Sequence, residues 1–143
     1  MKAKDYLGRV RRLKNLIRRK EKERDNWREM ALQFSKDAAQ PQYDPNRATS
    51  APYEKCIIMA EDLEGEIEEH KSELGKMRDQ LLARIIEVDD VDCRMILQMR
   101  YVNCMTWEEI ICRMNYSASW VYKKHGDALS EIEGILKYTV EWS

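Results

Sequence analysis

The chain has 143 residues, of which 36% are charged, with only five glycines, three prolines and a net charge of −1. That length makes one domain, or a small module on an extended helical element, and the scarcity of helix breakers points to a largely helical protein with solvated faces. The sequence holds no apolar run of the length that a membrane helix needs, and its opening MKAKDYLGRVRR lacks the apolar core of an export signal, so a cytoplasmic location is expected.

The balanced net charge hides a division along the chain. Residues 1–36 carry 13 basic and 5 acidic side chains, residues 53–92 carry 5 and 13, and residues 93–143 carry 6 of each. In the basic block, Tyr6, Val10, Leu13, Ile17, Lys20, Arg24, Trp27, Ala31 and Phe34 step alternately by four and three. That spacing keeps one side chain per turn on a continuous helical seam and predicts a helix over about 2–36. The segment DAAQPQYDPNRATSAP (37–52) follows and contains all three prolines, Pro41, Pro45 and Pro52, which stop helix propagation and mark a linker. In the acidic block the same stepping recurs at Cys56, Ala60, Leu63, Ile67, His70, Leu74, Met77 and Leu81, predicting a second helix over about 53–87. Each helix would be roughly 45 Å long at 1.5 Å per residue.

Two seams of this kind, oppositely charged and joined by one linker, predict an antiparallel coiled-coil helical hairpin over residues 1–88. The charge pattern selects basic-with-acidic pairing over pairing of like helices. Lys20, Arg24 and His70 sit at seam positions, where polar residues set register or oligomeric state. Two helices alone bury little surface, so a homodimer is expected. The run RVRRLKNLIRRKEKER (9–24) admits two readings: a solvated coiled-coil face paired to the acidic helix, or a strip that contacts nucleic-acid phosphates.

The C-terminal third, 89–143, reads differently. In residues 91–105, Val91, Met95, Ile96, Leu97, Met99 and Val102 fall at helical intervals. Thr106 followed by Glu109 is a capping box that opens a helix carrying Ile110, Ile111 and Met114. Asn115 tolerates the left-handed conformation that ends a helix. Ser117 is a second N-cap, from which Val121, His125, Ala128 and Leu129 continue a buried stripe, extended by Ile132, Ile135, Leu136 and Val140. Two short-linked helices behind a third make a helix-turn-helix candidate, whose second helix would enter the major groove. Gly126 lies in the middle of that helix, and close approach of another helix is one explanation for it.

The residues Ile96-Leu97, Arg100-Tyr101, Thr106-Trp107-Glu108-Glu109-Ile110, Tyr116-Ser117, Val121-Tyr122 and His125-Gly126 with Ala128-Leu129 give this third a recognisable look. Its layout resembles region 4 of bacterial sigma factors. More closely, it resembles phage-encoded transcription regulators of the ArpU/RinA type. The resemblance covers about a third of the chain. It implies an all-α protein with a sigma-region-4-like helix-turn-helix, acting on double-stranded DNA in the bacterial host, near the nucleoid. It further implies activation of late phage genes for packaging and morphogenesis, with RNA polymerase as a further partner.

On the second helix, Ser119, Tyr122 and Lys123 are candidates for base edges, since serine and lysine offer hydrogen bonds there and the tyrosine ring meets a thymine methyl or a phosphate. Ser117 at the helix N-terminus suits a phosphate. Lys124, Arg113 and Arg100 are candidate backbone contacts. Trp120 divides between core edge and groove, Arg100 between packing and phosphate, and Trp107 reads as a core anchor. The neutral charge of this third implies weak binding by a single copy.

Enzymatic activity is not expected: the chain has no nucleophile–base constellation and no glycine-rich phosphate loop, and its two histidines lie far apart. Cys56, Cys93, Cys104 and Cys112 show no CxxC spacing, and Cys104, Cys112 and His125 lack the paired spacing of a zinc site. They read as reduced thiols, with Cys56, Cys93 and Cys112 near apolar faces, and no metal or cofactor is expected. A small-terminase-like DNA-packaging subunit and a coiled-coil interaction protein without DNA binding are the alternative functions.

Overall fold

A computed structural model describes residues 2–38 and 50–138. All regular structure among them is helical: α1 (Ala3–Leu7), α2 (Arg9–Ala38), α3 (Ser50–Ile85), α4 (Val91–Leu97) running into a π-helical turn at Gln98–Val102, α5 (Trp107–Met114) and α6 (Ala118–Leu136). No helix among the described residues is long and apolar enough to cross a membrane.

The single helix expected over 2–36 is broken at Gly8, between α1 and α2. The break leaves carbonyls at the end of α1, and Arg12 Nη2 donates to one of them, the Asp5 carbonyl, at 2.7 Å. A side chain about two turns on thus satisfies an acceptor that the helix itself cannot. The second long helix begins earlier than the sequence suggests, and Pro52 lies in its first turn rather than outside it. Proline is tolerated there because first-turn N–H groups have no partner within the helix. Pro41, Pro45 and Val140 lie outside the described residues.

The chain divides into two compact units, Asn15–Ser72 and Met1–Lys14 with Glu73–Ser143. This division cuts both long helices, whereas the sequence places its boundary near residue 88. In the unit Asn15–Ser72, the seam residues Ile17 and Ala31 of α2 and Cys56, Ala60, Leu63 and Ile67 of α3 are buried. The polar seam positions are half-buried and paired. Lys20 Nζ lies 3.1 Å from Glu66 and 3.0 Å from His70 Nε2, and because a lysine ammonium only donates, that ring nitrogen accepts. Arg24 Nη1 donates to Glu64 at 2.7 Å, Arg28 reaches the same carboxylate at 3.3 Å, and Lys71 lies 4.0 Å from Glu21. The Arg24 hydrogen bond holds the Glu64 carboxyl below its usual range. As numbering rises along α2 in these pairs, it falls along α3.

In the other unit, Tyr6, Leu7, Val10, Leu81, Ile85, Val88, Ile96, Leu97, Val121, Ala128, Ile132 and Leu136 are almost wholly enclosed. α1 and α4 both pack on α6. The connection before α4 is tied down at both ends: Arg94 Nη1 donates to the Val88 carbonyl at 2.7 Å, and the Asp89 N–H donates to Glu131 at 2.8 Å. Asp90 caps α4 by accepting from the N–H groups of Asp92 and Cys93.

Val91 and Met95, counted as inward by spacing, are exposed at 57% and 42%. The inner face of α4 is Cys93, Ile96 and Leu97, and the π-helical turn then inserts one residue into the repeat, so that Met99, Tyr101 and Val102 are buried together. The helix expected to run to 105 stops there. Cys104 adopts a left-handed conformation (φ 56°), and the Met105 N–H returns to the Met99 carbonyl at 2.9 Å.

Candidate nucleic-acid interface

Thr106 accepts from the Glu109 N–H at 3.2 Å and opens α5. Asn115 ends it in the left-handed region (φ 59°, ψ 36°), with its N–H on the Ile111 carbonyl. Ser117 then opens α6 by accepting from the Trp120 N–H at 3.2 Å. All three signals are local chemistry: two short hydroxyls that satisfy unpaired N–H groups, and one residue type that tolerates positive φ. The turn between the helices is therefore three residues long, Asn115 to Ser117. Ile110 and Met114 of α5 and Val121 of α6 close over Ile96 and Met99, with Met105, Trp107, Ile111 and Trp120 packed around them.

With Val121, His125, Ala128 and Ile132 facing inward, the outer side of α6 carries Ala118, Ser119, Tyr122, Lys123, Gly126 and Asp127, all exposed. Ser117 and Arg113 are exposed beside it. Tyr122 is backed by the indole of Trp107, with ring centroids 5.3 Å apart. Trp107 also meets His125 edge-on at 4.6 Å and receives the Arg100 guanidinium over its face at 4.7 Å. This indole is a half-buried hub that fixes the direction of Tyr122. Trp120 is half-buried too and stacks on Tyr116 at 4.0 Å.

Two of the candidate phosphate contacts have partners within the chain. Lys124 Nζ lies 3.0 Å from Asp90 Oδ2, and this pairing raises the lysine and lowers the aspartate from their ordinary pKa values. Arg100 donates to the Met105 carbonyl at 3.0 Å, and burial lowers its pKa, with Arg11 adding like-charge repulsion. Lys123 and Arg113 remain on the exposed surface.

His125, counted only as part of the stripe, is buried and its Nε2 shares a 2.6 Å hydrogen bond with the Tyr101 hydroxyl. Burial pushes its pKa down to about 4, with the positive charges of Lys4 and Arg100 acting the same way, so the ring is neutral at pH 7. Gly126 has nothing within 4 Å of the place a Cβ would occupy. Among the described residues no other helix of the chain comes close to Gly126, which faces outward on α6. Cys112 is exposed rather than near the core, whereas Cys56 and Cys93 are buried, and burial raises the Cys93 thiol to about 11. Among the described residues no group of three or more His, Cys, Asp or Glu side chains could hold a metal ion.

Fold and site together define an all-α protein that presents a capped, outward-facing helix with a serine, a tyrosine and a lysine on its free side. The chain belongs to the family described as protein of unknown function (DUF1492), whose profile matches residues 42–133. No curated protein and no solved structure matches the chain.

Proposed function

We propose that this protein is a sequence-specific DNA-binding transcription regulator of phage or prophage origin, an activator of late genes for packaging and morphogenesis. In this reading α5, the turn and α6 are a sigma-region-4-like helix-turn-helix, and α2 with α3 is an antiparallel coiled-coil hairpin that brings two copies together. The observation that carries the reading is the outer face of α6. Ser119, Tyr122 and Lys123 are exposed, with Tyr122 backed by Trp107, on a helix whose N-terminus is fixed by Ser117. That is the geometry in which the first turns of a recognition helix meet base edges. The sequence resemblance to ArpU/RinA-type regulators supports the same residues. Self-association is supported by Met30, Leu32, Tyr53 and Ile58, large apolar side chains of α2 and α3 exposed at 40% or more. The protein would act in the host cytoplasm, at the nucleoid, with RNA polymerase as a further partner.

The test is selection of bound fragments from sheared phage or host DNA at near-physiological salt, beside a Tyr122→Ala/Lys123→Ala variant. Enrichment of a short site upstream of a gene cluster, lost in the variant, is the expected result. Enrichment of a packaging start would assign the protein to DNA packaging instead. Failure to enrich any fragment would leave the helices as a protein-interaction element.

A further inference from the structure

Six basic residues against one acidic residue occupy positions 1–14, and this segment belongs to the same compact unit as the helices around α6. Its side chains form one wall of a cavity of about 200 Å³ lined by Lys4, Gly8, Arg11, Arg100, Tyr101 and Trp107. Three basic residues thus line one small space, Lys4 exposed and Arg11 and Arg100 half-buried. No carboxylate among the described residues pairs with any of them. Several half-buried cations elsewhere do have carboxylate partners: Lys124 with Asp90, Arg24 with Glu64 and Lys20 with Glu66.

Arg100 is held in place before any ligand arrives. One of its amino groups is fixed on the Met105 carbonyl, and its plane lies over Trp107. A guanidinium has five N–H donors, so most of them remain for an anion. Burial lowers the Arg100 pKa, and the like charge of Arg11 acts in the same direction. A negative group between them would offset that like-charge repulsion. The cavity is smaller than the roughly 300–1,000 Å³ of pockets that enclose a whole small molecule. It suits one anionic group presented by something larger. Arginine forks match the oxygens of phosphate, and two arginines with a lysine suit its charge.

We infer that Lys4, Arg11 and Arg100 form a binding site for a single phosphate group. Resting on the DNA-binding reading above, the phosphate is a backbone phosphodiester of the duplex that α6 reads. Trp107 connects the two places, since it lines the cavity on one side and backs Tyr122 on the other. A duplex held at Tyr122 and Lys123 would then be gripped beside the reading helix by charges from the start of the chain. This also supplies the phosphate contacts that the neutral C-terminal third lacks.

The experiment compares wild type, Arg11→Gln and the charge-matched control Lys137→Gln, which lies away from the cavity lining. Binding to a mixed-sequence duplex is measured from low to moderate salt. Thermal unfolding is followed in sodium phosphate against sodium chloride at equal ionic strength. Arg11→Gln is expected to fold normally and to reduce the slope of log affinity against log salt by about one, the loss of one phosphate contact. Phosphate should raise the Tm of wild type and of Lys137→Gln more than that of Arg11→Gln. If slope and phosphate response are the same in Arg11→Gln and Lys137→Gln, the site is overturned, and the DNA-binding reading stands as long as the duplex binds. If wild type binds no duplex but shows the Arg11-dependent phosphate response, the phosphate site survives with a free phosphorylated ligand and the DNA reading falls. Loss of both overturns both.

Discussion

Acidification should destabilise the unit around α6 through one residue. His125 is buried against Trp107 and bonded to Tyr101, with a pKa near 4 in the folded protein against 6.5 for the free side chain. A depressed histidine pKa means that the unfolded chain binds the proton more tightly. The stabilisation is therefore complete above about pH 6.5 and is lost as pH falls towards 4. At 1.36 kcal/mol per unit, the full shift corresponds to about 3 kcal/mol, of which about 2 kcal/mol would be gone by pH 5. Residual solvent access reduces this, so the expected loss at pH 5 is about 1–2 kcal/mol, or a fall in Tm of about 4–8 °C. The assay is thermal unfolding of wild type and His125→Gln between pH 5 and 7.5, followed in the unit's tryptophan signal. Carboxylates contribute equally to both proteins, so the difference between them isolates the histidine. The wild type should lose its advantage over the variant as pH falls. Parallel curves would refute the reasoning and mean that His125 is solvated or already charged in the fold.

Three further substitutions test the local arguments. Thr106→Ala and Ser117→Ala each remove a helix cap and should cost about 1 kcal/mol in chemical unfolding. A loss near zero would show that water replaces those hydroxyls freely. Gly126→Ala meets nothing and replaces a poor helix former by the best, so it should stabilise α6 by up to about 1 kcal/mol in the same assay. If it instead weakens DNA binding without altering stability, a bound backbone comes close to Gly126. Replacing Lys20 and His70 together by leucine should raise the Tm and broaden the range of oligomers seen by light scattering, because a polar pair in a seam restricts register.

Much of this protein is readable from its residues, and the failures have physical causes. The helical class follows from composition, and the seams from 4-3 spacing: Ile17, Leu63 and Ile67 are buried as that spacing requires. The caps at Thr106 and Ser117 and the left-handed stop at Asn115 were legible because each depends on one side chain and its own backbone. The break at Gly8 was not, since the stepping from Tyr6 to Val10 runs through it undisturbed. The π-helical turn was also hidden. It lets Met99, Tyr101 and Val102 be buried together, whereas spacing assumes an unbroken 3.6-residue repeat. Within the candidate interface, spacing showed which side of α6 is free. It did not show that Lys124 and Arg100 already have partners, since Asp90 reaches Lys124 only through tertiary packing and Met105 reaches Arg100 only because the chain folds back after the π-helical turn. Arg11 lies in the run 9–24, for which spacing leaves both a coiled-coil face and phosphate contact open, and Lys4 lies outside that run; only the fold brings the two beside Arg100 and Trp107.

The proposed DNA-binding face is the outer side of α6. The most direct measurement is the change in amide NMR signals on adding a short duplex at low salt. Shifts are expected at Ser117–Asp127 and around Lys4, Arg11 and Arg100, with little change in α2 and α3 between residues 15 and 72. Shifts confined to the basic face of α2, or none at all, would contradict that placement.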